Sequence, residues 1–205
     1  ANQFILWFGM KQSKKPNKLI YPLGRGKEEY FWTLVVAVLI FTIGGLVSLE
    51  HGIEALSHPK ELKNLFISII VLSVSIILEL YVLYKAVKEL RSKAVDKNLP
   101  VFKLLKKSTD GPLIAIVVED FAATLGLGIA LLGSILANVT GNPIFDAVSS
   151  IMIGLLLMLS GLFLGYEMKH LITGETINIQ TKDKIFKLIE NNELVKSVES
   201  LKVVS

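Results

Sequence analysis

Glu119 and Asp120 stand side by side in "IVVEDFAATLG", and between Gly111 and Phe145 they are the only charged residues. Two adjacent carboxylates inside an apolar run have few stable arrangements. Each must be protonated, hydrogen-bonded, or neutralised by a cation, because an ionised oxygen in hydrocarbon is expensive. The chain places no Lys or Arg in any of its apolar runs. A mobile cation is therefore the neutralising partner that the residues themselves suggest, with Glu119 and Asp120 as its oxygen ligands. A site of this kind exchanges guests: an arriving divalent ion displaces protons, and arriving protons expel the ion.

These acids are positioned by membrane helices. Of the 205 residues 52% are hydrophobic, with a mean hydropathy of +0.57, and the apolar residues are gathered in blocks rather than at amphipathic spacing. Uncharged runs extend from Phe31 to Leu49, from Leu65 to Leu78 with continuation through Glu79 to Tyr84, from Phe121 to Phe145 and from Ala147 to Tyr166. About 20 such residues cross a hydrocarbon layer of ~30 Å, so four complete spans are predicted. The uncharged stretch from Ala1 to Met10 reads as the second half of a further helix whose start precedes the chain. Asp110, Gly111 and Pro112 supply an N-cap and an early proline for the third complete span. Asp146 reads as an N-terminal residue favoured by the dipole of the fourth.

Asp120 then lies roughly 13 Å into its helix, too deep for a short side chain to reach the headgroups. Glu79, counted from the end of its uncharged run at Tyr84, lies roughly 8 Å from the same surface, so the two helices can share a polar layer. Glu79 itself is equally well read as a hydrogen-bonded carboxylate reaching the interface. Ala122, Gly126, Ala130 and Ser134 recur every fourth residue beside Ala123 and Gly133, a stripe that allows close helix approach. "GLGIALLG" is part of this packing surface rather than a phosphate loop, and without a Gly-rich loop carrying Lys an ATP-driven pump is disfavoured.

Basic residues set the orientation. The segment from Lys11 to Tyr30 and the one from Lys85 to Asp110 are rich in Lys and Arg, whereas Glu50 to Asn64 carries only Lys60 and Lys63 and "NVTGNPIFD" carries none. The first two face the cytoplasm, and so does the tail after Tyr166. The net charge of +4 fits an anionic inner leaflet; no basic and aromatic pattern points to nucleic acid. The tail has Ile185, Leu188 and Ile189 at helical spacing and a β-branched alternation from Val198 to Val204. It reads as the opening of a soluble α/β domain. With no cysteine, thiolate metal sites are excluded, and any metal is held by carboxylate, imidazole, amide, carbonyl or water.

The succession "YPLGRGKEEYFW", two spans, "ED" followed by a small-residue helix, then "NPIFDAVSSIMIGLLL" and an α/β opening resembles the cation diffusion facilitator family, and within it the branch of the mitochondrial-type zinc transporter nine. The resemblance covers essentially the whole chain. It implies an all-α polytopic membrane bundle, the cation-efflux transmembrane fold, followed by the start of a ferredoxin-like cytoplasmic domain. Residues 1–174 would hold the second half of helix two and helices three to six; residues 175–205 would open the soluble domain. It further implies a homodimeric secondary transporter, not an enzyme, exporting zinc in exchange for protons across the plasma or bacterial inner membrane, with no prosthetic group.

The family's transport site joins acids on helix two to a helix-five acid and a His or Asp four residues earlier. Asp120 matches the helix-five acid. Ile116 occupies the earlier position, so Glu119 is expected to supply the added oxygen; the helix-two carboxylates would fall just before Ala1, with Asn2 and Gln3 within a turn of them. An oxygen-rich site would also suit Mn2+, Fe2+ or Co2+. The family's loop motif is altered: Tyr21 and Arg25 stand where histidines are usual, so no metal is expected there, and Lys27 matches a residue that helps to anchor the dimer. His51 and His58, near Glu50 and Glu54, and His170 are read as interfacial. Two rival readings are a membrane scaffold of the same fold acting through its cytoplasmic tail and an organic-cation transporter, the latter disfavoured by the tight small-residue stripe.

Overall fold

The computed structural model describes residues 2–14, 25–58, 65–94, 98–173 and 179–191, and every regular element among them is helical. α1 (Asn2–Ser13) precedes a continuous rod, Glu28–Ser57, made of α2 (Glu28–Leu39), a π-helical segment (Ile40–Leu46) and α3 (Val47–Ser57). α4 (Leu65–Lys93), the short α5 (Val101–Lys107), α6 (Gly111–Thr140), α7 (Ile144–Thr173) and α8 (Ile179–Glu190) follow. Among the described residues four helices are long and apolar enough to cross a membrane: the rod, α4, α6 and α7. They cover the four runs read from hydropathy. The strand expected over Val198 to Val204 lies outside the described residues.

The helices outrun the apolar runs because their ends near Asp110 are held by polar contacts. Asp110 caps α6 as its sequence position predicts, Oδ1 accepting from the Leu113 amide at 3.1 Å, with Pro112 in the first turn. Its Oδ2 accepts from Lys93 Nζ at 2.8 Å, and the same ammonium lies 2.8 Å from Glu89. The Tyr30 hydroxyl donates to the Thr109 carbonyl at 2.9 Å. The ends of α2, α4 and α6 are thereby tied at one level. Exposed ion pairs add little stability individually; their value here is registry.

Beneath this layer Leu6, Val36, Ile40, Leu90, Leu104, Leu105, Ile114, Val117, Leu164 and Met168 belong to one buried cluster drawn from all the elements except α3 and α8. Farther along the spans, side chains such as Ile77, Leu132 and Val139 point outward. Hydrocarbon covers such residues in a membrane without cost, whereas the backbone groups must be satisfied within each helix.

α7 packs along the rod and against α6, while α4 lies on the other side of α6. Backbones approach closely at two glycines of α7. A Cβ on Gly154 would sit 2.7 Å from the Leu49 nitrogen and 2.9 Å from the Gly45 carbonyl oxygen; one on Gly161 would sit 2.8 Å from the Ala37 carbonyl oxygen. Backbone atoms cannot yield as a flexible side chain does, so this seam admits only glycine. The expected stripe on α6 is partly buried as well: Ala122, Gly126 and Ser134 are buried, and Gly133, beside that stripe, faces Ser149 of α7. We expect Gly154→Val to destabilise the folded protein by about 1–3 kcal/mol through overpacking, measured as a lowered unfolding temperature in detergent, with Gly165→Ala, whose added carbon meets only the end of Leu34, close to neutral.

Candidate metal centre

α6 carries the two acids past the cap at Asp110, and its first turns are buried on most sides: Leu113, Ile114, Ala115, Val117 and Val118 are all covered. Asp120 inherits that environment and is only 4% exposed. Its Oδ2 is buried without a hydrogen-bond partner. Glu119, one residue earlier and about 100° around the helix, is half-buried. Its Oε1 accepts from the Asn2 side-chain amide at 2.9 Å, a bond that joins α1 to α6. Its Oε2 is buried and unpartnered. A third oxygen on the same helix shares this condition, the hydroxyl of Thr124.

Both acids expected to bind metal therefore lie within the bundle, and both keep a bare oxygen. Ile116, four residues before Asp120, supplies no donor atom, as the broken motif implied. Asn2 was noted in the sequence only for its nearness to the expected helix-two ligands; its contact with Glu119 links elements far apart in the chain and has no local signature beyond an amide in an apolar run. That amide fixes one carboxylate oxygen and leaves the other without a partner.

Glu79 lies on α4, the helix packed along α6. Because α4 continues to Lys93, and Lys93 pairs with Asp110, equal steps from that pair bring Glu79 opposite Thr124. The nearest contact farther along, Gly128 against Ile76, keeps the same register. Among the described residues no three His, Asp or Glu side chains converge closely enough to hold a metal unaided, so the acidic pair lies near Glu79 without forming a closed cage with it.

The remaining candidates sit elsewhere. Of the altered loop motif, residues 21–24 lie outside the described residues; Arg25 forms an ion pair with Glu28. Lys27 Nζ donates to the Ile172 carbonyl at 3.1 Å, at the C-terminal end of α7, where a cation suits the helix dipole. His51 is exposed on α3 and His58 ends that helix. His170, on α7, meets Tyr166 edge to face with ring centroids 4.5 Å apart, and its Nε2 is buried without a partner. Asp146 lies in the first turn of α7.

A family model for the cation efflux transmembrane domain matches residues 1–171. The chain belongs to the cation efflux family. Metal tolerance protein C4 of Arabidopsis thaliana is 29% identical over 202 residues, which cover 98% of this chain and 44% of that protein. The Homo sapiens protein named proton-coupled zinc antiporter SLC30A9, mitochondrial, is 31% identical over 202 residues, covering 98% of this chain and 36% of that protein. This chain thus spans less than half the length of either relative. Family membership and four membrane-crossing helices make it a multi-pass membrane protein.

The Asn2 bond yields a direct expectation. Asn2→Ala frees Glu119 to rotate and should weaken binding of a divalent cation about tenfold, the usual cost of losing a residue that orients a ligand. Calorimetry of Zn2+ binding checks this, with Asn2→Asp expected to retain or strengthen binding by adding an acidic oxygen.

Proposed function

We propose that this protein exports a divalent metal cation, zinc foremost, in exchange for protons, with Asp120 and Glu119 as ligands on the fifth helix of a six-helix bundle. The observation that carries this is the pair of bare carboxylate oxygens, one on an almost fully buried Asp120, in a bundle segment that contains no cationic side chain. A buried charge left unpaired costs far more than one that is matched. Protons and a dication compete for the same oxygens, so occupancy by one drives release of the other. Rocking of the helices around such a site, near the middle of the membrane, gives each side access in turn.

Zinc and proton coupling are favoured by the name of the human relative; the oxygen donors seen in this chain are equally suited to Mn2+, Fe2+ or Co2+. The functional unit in this reading is a homodimer in a plasma or bacterial inner membrane. The basic ends of α1, α4 and α5 lie on the inner face and α8 opens a cytoplasmic domain. The scaffold alternative separates cleanly. In proteoliposomes with an imposed pH gradient, the full protein should accumulate Zn2+, and Asp120→Asn should lower that uptake at least a hundredfold, as expected when a ligand rather than a supporting residue is lost. A scaffold would show no gradient-driven uptake even without the substitution.

A further inference from the structure

Hydroxyl side chains in membrane helices usually turn back to their own backbone. Thr33, Thr42, Ser73, Ser149 and Ser160 each donate to the carbonyl four residues earlier, at 2.7 to 2.8 Å. This satisfies the O–H in a place where water is scarce. Thr124 departs from the pattern. The carbonyl four residues before it belongs to Asp120, yet the Thr124 hydroxyl makes no bond to that or to any other group, and its oxygen is buried. A buried, unmade hydrogen bond costs about 1–3 kcal/mol, and such exceptions in a folded protein call for a partner that the chain itself does not supply.

The position of that hydroxyl indicates the partner. It stands one helical turn beyond Asp120, on the same face, level with Glu79 across the α4–α6 contact. Asp120, more than nine-tenths buried, presents its own unpartnered Oδ2 in the same helix. We infer that Thr124 is a further metal-contacting residue, its hydroxyl oxygen joining Asp120 and Glu119 around the transported ion, directly or through one bound water, and biasing the site toward harder, higher-coordinate divalent ions. A neutral hydroxyl is a hard donor: it favours Mn2+, which accepts six oxygens, more than Zn2+, which is satisfied by four ligands and by softer ones. The inference rests on the reading of Asp120 as a ligand and adds to it a determinant of which metal is preferred.

The test compares the unsubstituted full-length protein with Thr124→Val, Thr124→Ser and Asp120→Asn, measuring equilibrium binding of Mn2+, Co2+ and Zn2+ and the thermal unfolding of the metal-free proteins. Thr124→Val should weaken Mn2+ and Co2+ about tenfold and Zn2+ less, while Thr124→Ser restores binding. The visible absorption of bound Co2+ should strengthen in Thr124→Val as an oxygen ligand is lost and coordination falls. Unfolding of metal-free Thr124→Val should occur at the same or a higher temperature, since a hydroxyl without a partner is removed; a lowered temperature would mean the hydroxyl has a structural bond and would overturn the inference. Unchanged affinities and an unchanged Co2+ spectrum in Thr124→Val, or equal losses in Thr124→Ser, would overturn it as well. Asp120→Asn keeps the two claims apart: if that variant binds all three ions undiminished, the metal-site reading itself fails, whereas its loss alongside a silent Thr124→Val removes only the role of Thr124.

Discussion

An anionic oxygen taken out of water must be given a counter-charge, a proton or a set of donors, and the surrounding helices here provide Asp120 with none of these at Oδ2. Several polar groups at the Asp110 end of the bundle are treated differently. Asp110 receives both a backbone amide and an ammonium, and Arg25 is matched with Glu28. Glu119 is an intermediate case, with one oxygen bound by Asn2 and the other left bare. Along α6 the bare oxygens, those of Glu119, Asp120 and Thr124, lie several turns past the satisfied cap at Asp110. In an apolar medium that arrangement is costly to the folded protein alone, and it is relieved when a cation or protons occupy the site.

The rest of the architecture serves to hold that site at one depth. Tyr30, Lys93 and Asp110 tie the ends of three helices together, and the register so fixed brings Glu79 to the level of Thr124. On the other side, the Gly154 and Gly161 seam clamps α7 to the rod by backbone contact. Small residues do this in membranes because association there relies on close packing rather than on a hydrophobic difference between protein and lipid. The π-helical segment Ile40–Leu46 lies within this seam, with Gly45 facing Gly154 and Met158.

Much of this was legible in the residues before any coordinates. Apolar blocks of spanning length fixed the four membrane helices, since charge cannot be spread along a span, and Asp110 before Gly111 and Pro112 marked the start of α6. The burial of Asp120 followed from its depth and short side chain. What escaped the sequence depends on contacts between distant segments. The extension of α4 to Lys93 follows from its pairing with Asp110; its charged last turns look like loop when read alone. α5 hides in the same basic stretch because its buried Leu104 and Leu105 are too few to show a period. The hold of Asn2 on Glu119 likewise joins the first turn of one helix to the middle of another. The silence of the Thr124 hydroxyl is visible only against the bonding of its counterparts.

The central claim is that one set of carboxylate oxygens binds either a dication or protons. The most direct measurement is the number of protons released when Zn2+ or Mn2+ binds the full protein, obtained by titration calorimetry in buffers of differing ionisation enthalpy. The account predicts release that falls as pH rises and the oxygens are already bare, together with loss of both metal binding and release in Asp120→Asn. Metal binding with no proton release at any pH, or unchanged release in Asp120→Asn, would contradict it.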